Sequence, residues 1–569
     1  MTTVDAGFGS VSDVADGGEA HISDTSSAFT SGDIHAFKSG GTKKSAVLYD
    51  GTFYGPVWDN GGAVYNAKHP DYGAKGDNSS DDTSALQAWI DAVEASGGVG
   101  VLPPGTYLVS LTGNGYALQV DADDVTLRLA AGASIKLADN ELSGAGTGHV
   151  LQVGNGSTAR SNIAILGPGR IDGNRANNSS SGDVTGSAGV AVDGPHTDVE
   201  ISLDVENTVG TGIFATGVDT SNRGERLNIH SCKVNNCGEG IVWKFWDYVV
   251  VANNIASNLQ ATQDAFEAAT ADYFVIDGNV AENVPGSGID LFGAQHGTVV
   301  GNTLHNCGTT AGASIVAGGT GGTRDTTDVV ITGNEVHVNT TGNGIAVVQN
   351  TAQGNSRILI RGNDVSECEY GIHLANNPDN RVSGNVCYNN AISGIRTHGD
   401  GVVCKDNICF NNNQDNNANQ GGILGTGGDR AVISGNVCYD TQGTATQDWG
   451  INLQSSVTNG VVEGNVFWGN DGGLNDGSGS GTVVRRNSGY TTENNGTATV
   501  ASGTTSIAVN HGLDATPSIQ DISVTPTNDP TNDVGNFWIS SVGASQFTIN
   551  VGADPGSGGA TFAWKAAIE

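Results

Sequence analysis

Two carboxylates occupy matching places in neighbouring stretches of this chain: Glu267, directly after Phe266, and Asp290, directly after Ile289. If the two hydrophobes lie on stacked strands, the carboxylates fall about 5 Å apart at the backbone. Two such groups cannot both ionise freely, so one is expected to hold a proton near neutral pH. That is what general acid and base work on a glycosidic bond requires, and the separation would choose between retention and inversion. Asp264 lies just before Glu267, and Trp243, Lys244, Trp246 and Asp247 lie one repeat earlier. Indole faces suit sugar stacking, and Lys244 or Asp247 could bind or protonate a glycan. The competing reading is that stacked carboxylates on so acidic a chain are solvated or bridged by cations, leaving glycan binding without catalysis.

A second cluster is His373, Arg396 and His398 on adjacent repeats. A base beside cations that neutralise a uronate is the set a polysaccharide lyase needs, though His and Arg are also ordinary surface residues. A third feature is the series Tyr388, Phe410, Tyr439 and Trp468, flanked by Val386, Ile408, Val437 and Val466. An outward strip this apolar is expected to be covered by another subunit, with a carbohydrate platform as the alternative.

These residues are placed by a repeat. The stretch from Val382 to Ile395, VSGNVCYNNAISGI, recurs along much of the chain. Its asparagine reappears as Asn254, Asn279, Asn302, Asn334, Asn363, Asn385, Asn407, Asn436, Asn465 and Asn487, at intervals of 22 to 32 residues. Its glycine-hydrophobe step gives Ile213, Ile241, Phe266, Ile289, Ile315, Ile345, Ile372, Ile395, Ile423, Ile451 and Leu474. Such a period signals a solenoid. Runs of three to five β-branched residues between Gly, Asn, Asp and Ser exclude helical repeats, and three short strands per turn describe a right-handed parallel β-helix. Identical residues then form ladders about 4.8 Å apart, so the asparagines are expected to satisfy turn backbone. If Ile372 points inward, His373 points out, and the same alternation gives an outward column from Phe214 and Val242 through Glu267, Asp290, Val316, Ala346, His373, Arg396 and Leu424 to Asn452.

Composition narrows the function. Lys and Arg number 24 against 59 Asp and Glu, a net charge of −35. No basic patch could neutralise phosphates, so nucleic acid is excluded as a partner. So acidic a surface suits work in molar salt, where screening shortens repulsion to a few ångströms, and a halophilic source is expected. The eight cysteines do not read as a disulfide scaffold: Cys387, Cys409 and Cys438 share one inward rung and resemble small core hydrophobes, and no pairing has metal-finger spacing. No metal or cofactor is expected. Asp- and Asn-rich loops suit a structural Ca²⁺ or Na⁺, but no spacing specifies a site. The opening twenty residues lack both basic residues and an apolar run, so no signal sequence and no membrane insertion are expected.

In chain order, residues 1–60 are Gly-, Ser-, Thr- and Asp-rich and suit an anchoring or attachment region. Residues 61–115 hold a helix capped by Asp81, Asp82 and Thr83, with Leu86, Trp89, Ile90 and Val93 on its apolar face and Gly97-Gly98 stopping it; it can cover the open end of a solenoid. The parallel β-helix is expected over 116–495, and 496–569 alternates like a small antiparallel β-sandwich.

The run GAKGDNSSDDTSALQAWIDA, followed by GGVGVLPPGTY, resembles the opening signature of the pectate-lyase-like superfamily, which includes bacteriophage tailspikes, polysaccharide lyases and glycoside hydrolases. With the repeats the resemblance covers roughly residues 61–490. It implies a right-handed β-helix, often a homotrimer, that binds or cleaves polysaccharide along its side; it carries over no catalytic residue. His511-Gly512-Leu513 with Thr516-Pro517 is similar to a β-sandwich found at the ends of viral tail fibres. The expected protein is therefore an all-β chain: a right-handed parallel β-helix with an N-terminal capping helix and a C-terminal β-sandwich. Its expected function is that of a virion spike or tail-fibre receptor-binding protein that engages cell-surface glycan, contacts other virion proteins through its N-terminal region and has possible depolymerase activity. The rivals are a secreted extracellular polysaccharide lyase or glycoside hydrolase and a non-catalytic decoration protein.

Overall fold

The computed structural model describes residues 62–143, 147–178, 186–260, 263–310, 312–318, 324–339, 341–349 and 354–568, with the backbone of four short strands between 33 and 59. The anchoring role expected for residues 1–60 falls outside the residues whose side chains are described. The chain divides into two compact units, 1–285 and 286–569. Both carry coils of right-handed parallel β-helix. No helix among the described residues is long and apolar enough to cross a membrane.

In the first unit the helix spans Thr83–Glu94 and buries Leu86, Trp89, Ile90 and Val93, the face its spacing predicts. Trp89 donates from Nε1 to the Tyr65 carbonyl at 2.9 Å. Its ring lies so close to Gly100 that a Cβ there would sit 2.6 Å from Cζ2, which fixes glycine at that strand position. The cap differs in detail from expectation. Asp82 is the N-cap residue but makes no side-chain cap bond; its carboxylate accepts from the Lys75 and Gly76 backbone instead. Asp81 accepts from the Thr83 N–H at 2.9 Å. Behind the helix, strands Tyr116–Val120, His149–Val153, Ala188–Asp193, Thr211–Thr216, Glu239–Lys244 and Phe266–Ala269 stack in parallel register. Leu118, Leu151, Val190, Ile213, Ile241 and Phe266 form one continuous inward ladder, each at most 1 % exposed, as parallel pairing of identical coils demands.

In the second unit the ladder runs Ile289, Ile315, Ile345, Ile372, Ile395, Ile423, Ile451, Leu474, every neighbour in register. Three strands make a coil: Arg381–Ser383, Val386–Tyr388 and Ser393–His398 are one set. Between the first two, Gly384 turns the chain at φ +64°, a left-handed conformation that disfavours side chains. The asparagine after it does the work the repeat predicts. Asn385 accepts at Oδ1 from the Asn363 N–H and Nδ2, and donates from Nδ2 to the Ile360 carbonyl and to Asn407 Oδ1. The same pattern links Asn302, Asn334, Asn363, Asn385, Asn407, Asn436, Asn465 and Asn487, and joins Asn254 to Asn279 in the first unit. These buried amides pair turn groups that would otherwise be stranded inside the coil.

All eight cysteines are buried thiols. Cys387, Cys409 and Cys438 stack in register, as their shared rung predicts. After Asn487 the chain forms two three-stranded antiparallel sheets, Glu493–Val500/Ala560–Ala567/Ile522–Pro526 and Ser506–Asn510/Gln546–Val551/Phe537–Ser540. Val500, Phe547, Ile549, Phe562 and Ala566 lie in the core between them. His511 is buried there: Nδ1 accepts from the Leu513 N–H, so Nε2 donates to the Gly543 carbonyl at 3.0 Å.

Candidate functional site

The carboxylate site in the first unit is built by three strand starts. Glu267 follows Phe266, whose inward ring leaves Glu267 on the outer face in register with Val242. Its carboxyl is pushed up to about 8, first by burial, then by the negative charges of Glu239 and Asp264, against the opposing pull of Lys244. Asp264 is 9 % exposed and Glu239 only 1 %. Glu239 accepts from Thr211 Oγ1 at 2.7 Å. At neutral pH Glu267 is therefore a protonated, partly exposed acid beside other carboxylates, which is the state a proton donor needs. Glu239 went unnoticed in the sequence because it precedes Ile241 by two residues and sits on the inward parity of that strand. Asp290 belongs to the second unit, half-buried between Ile289 and Leu291 and in register with Val316. The charges that keep Glu267 protonated within its own unit are thus Glu239 and Asp264.

The tryptophans do not play the expected role. Trp243 and Trp246 are both 0 % exposed. Trp243 stands in the inward register between Ala215 and Ala268, and Trp246 packs on Gly224, where a Cβ would come within 2.4 Å of its ring. Neither offers a face to a sugar. Alternation from Ile241 already puts Trp243 inside, a signal present in the sequence and outweighed by residue type. Asp247 is also committed: Arg223 donates to it from Nε at 2.7 Å and pairs with it through Nη2 at 2.6 Å, while bonding the Thr270 carbonyl. Lys244 is exposed, with Nζ 4.9 Å from the Phe245 ring centroid.

The second cluster does assemble within its unit. His373 and Arg396 are direct neighbours on adjacent strands. Tyr370, which the sequence reading missed, joins them: its ring lies 5.3 Å from His373, and the Arg396 guanidinium stands 5.6 Å over it. Burial, then the Arg396 and His398 charges, lower His373 to about 4. His398 is lowered by burial and then by the Arg396 charge, against the opposing pull of Asp400, and the Tyr370 hydroxyl is raised chiefly by burial. At neutral pH the imidazole is a neutral base beside a fixed cation, and Arg396 Nε has no hydrogen-bond partner among the described residues.

The column around this cluster is less open than alternation implies. Val316, Ala346, Leu424 and Asn452 are buried at 9, 1, 4 and 4 % exposure. Val316 and Ala346 pack with Ala313 and Val348, and Asn452 donates to the Asn419 carbonyl from an inter-strand loop. The loop that carries Asn419 thus holds the Asn452 side chain, an effect that strand parity does not contain. The aromatic series forms a continuous stack: Tyr388, Phe410, Tyr439 and Trp468 lie 4.9, 5.0 and 4.2 Å apart, within 6° of parallel. The inner rings Phe410 and Tyr439 each stack on two neighbours, so the open faces a carbohydrate platform uses are not found along the middle of the stack.

Three family profiles match parts of the chain: a right handed beta helix region over residues 211–385, rhamnogalacturonase A/epimerase, pectate lyase-like, over 65–117, and periplasmic copper-binding protein (NosD) over 321–538. Among curated proteins, mannuronan C5-epimerase AlgE1 of Azotobacter vinelandii is 51 % identical over 73 residues, 12 % of this chain and 5 % of that protein. AlgE3 of the same organism is 32 % identical over 238 residues, 40 % of this chain and 12 % of that protein. The chain spans at most 22 % of the length of the three epimerases it matches. Among solved structures, the tailspike protein of E. coli bacteriophage HK620 resembles it with a TM-score of 0.59 in a mutant bound to a hexasaccharide and 0.52 in a complex with a pentasaccharide. Both alignments are 14 % identical and cover 86 % of this chain and 90 % of the tailspike. The likeness to the tailspike is one of fold.

Proposed function

We propose that this chain is a polysaccharide-binding β-helix protein that cleaves the glycan it binds, with Glu267 as the proton donor. The observation that carries this reading is the Glu267 carboxyl, held protonated to about 8 by burial and by Glu239 and Asp264. Glu267 would protonate the leaving glycosidic oxygen as the bond to the anomeric carbon breaks. Asp264 would supply the carboxylate that activates water or attacks that carbon. The setting we favour is a virion spike or tail fibre that reads host-surface glycan in high salt, a trimer attached through residues 1–60. The tailspike-like fold and the net charge of −35 are its support.

A second reading rests on the other cluster and on the mannuronan epimerase relatives. Arg396 would neutralise a uronate carboxylate, neutral His373 would take the C5 proton, and the Tyr370 hydroxyl would serve the opposite transfer. One assay separates the two. The protein is incubated in high salt with host-envelope polysaccharide and, separately, with polymannuronate, and reducing ends, unsaturated uronate and C5 configuration are followed. Reducing ends that disappear in Glu267→Gln and persist in His373→Gln support the hydrolase. Uronate products with the reverse dependence replace it by the second reading, and an inert wild type refutes catalysis at both clusters.

A further inference from the structure

The C-terminal sandwich presents two outer faces of different chemistry. On the sheet Ser506–Asn510/Gln546–Val551/Phe537–Ser540, the alternate residues Ile507, Val509, Phe547, Ile549, Val551 and Ile539 turn into the core or pack against it. Phe537 shares their parity, opposite Val551, and its ring lies against Phe562; the other side chains face out, and the antiparallel register sets them in rows. Ser506, Asn550 and Trp538 form one row; Ala508, Thr548 and Ser540 form the next; a shorter row of amides closes the face. None of them is ionisable. The outer face of the opposite sheet, by contrast, carries Lys565 and Glu493, whose charges lie 3.9 Å apart.

Trp538 is 49 % exposed at the rim of the uncharged face. No aromatic ring stacks on it among the described residues, unlike Trp468, which lies against Tyr439. Beside it Asn550 is fixed in place: Nδ2 donates to Ser540 Oγ at 2.8 Å. An open indole on a flat strand surface, next to ordered amides and hydroxyls, matches the alternating C–H faces and hydroxyl edges of a sugar. The lack of charge decides which sugar. On a chain of net charge −35, a face with no cation has nothing to offset repulsion of an anionic polymer. A second copy of the chain would need a contiguous apolar area, and these two rows offer only Trp538 and Ala508.

We infer that this face of the C-terminal module is a binding platform for an uncharged polysaccharide, with Trp538 as its stacking residue. The platform lies within the C-terminal sandwich and does not depend on which cluster, that of Glu267 or that of His373, catalyses. It is tested with the full chain by affinity electrophoresis in native gels containing dextran, laminarin or galactomannan, with alginate as the anionic counter-probe. At least one neutral polymer should retard the wild type and the Glu267→Gln variant alike, and Trp538→Ala should weaken that retardation tenfold or more. Thr548→Arg, which leaves the indole in place and obstructs the neighbouring row, should weaken it similarly. Unfolding midpoints equal to wild type show that the variants are folded. The inference is overturned if none of the neutral polymers retards the wild type, if Trp538→Ala is retarded as strongly as wild type, or if only alginate acts. It is also overturned if light scattering shows a wild-type oligomer that Trp538→Ala dissociates, which would make the face a subunit contact.

Discussion

Replacing Glu267 by glutamine should change how stability depends on pH, and the sign and size follow from its surroundings. The carboxyl titrates at about 8 in the folded chain against an ordinary value of 4.5. Between those limits the unfolded chain has lost a proton that the folded chain retains, so stability falls as pH rises. At 1.36 kcal/mol per pKa unit, the gap corresponds to about 5 kcal/mol across the window, an upper figure because local relaxation admits water. Glutamine mimics the protonated acid and cannot ionise. Relative to wild type, Glu267→Gln should gain little stability at pH 5 and progressively more through pH 9, approaching that figure. The assay is denaturant unfolding followed by tryptophan fluorescence at pH 5, 7 and 9 in constant salt, reading the difference in midpoint between the two proteins. A difference that is flat with pH, or that changes only below pH 5, would refute the assignment of Glu267 as a neutral acid. It would remove the proton donor from the proposed mechanism.

The remaining expectations concern other parts of the chain. His373→Gln should flatten the acid limb of stability with the opposite sign: the folded imidazole titrates at about 4, so wild type loses stability as pH falls from 6.5, by about 3 kcal/mol in all, and a common acid limb in both proteins would contradict the burial of His373. Asn407→Ala removes the partner of the Asn385 N–H and of the Val382 carbonyl and should cost about 3–6 kcal/mol by orphaning buried groups; a loss below about 1 kcal/mol in denaturant midpoints would mean the ladder is not load-sharing. The edges of the aromatic stack are flanked by Ile408 and Val466 at 38 and 37 % exposure. If a second subunit covers them, Ile408→Asp with Val466→Asp lowers the mass measured by light scattering, whereas an unchanged mass removes this strip as the interface. Raising KCl from about 0.1 M to 2 M shrinks the Debye length from about 10 Å to a few ångströms and should raise the melting temperature of so acidic a chain; a constant or falling melting temperature would argue against adaptation to high salt.

The repeat alone determined the coils. A fixed period of asparagines and of glycine-hydrophobe steps leaves only one way to bury Ile372, Ile395 and Ile423 together, and the structure stacks them in that register. The helix face, the asparagine ladder and the cysteine rung followed for the same reason: each depends on neighbours a constant distance away in sequence. The surface chemistry was a different matter. Trp243 and Trp246 looked like sugar platforms by residue type, yet strand parity and the gap over Gly224 put them in the core. Tyr370 and Glu239 joined their clusters through strand neighbours whose offset varies from coil to coil. Strand parity did not decide which outward residues meet solvent either: Ala346 and Leu424 are buried while Trp538 is open. Backbone periodicity is local and survives in the sequence, whereas solvent access and carboxylate pKa depend on every chain segment that folds over a site, and only the tertiary structure sums them.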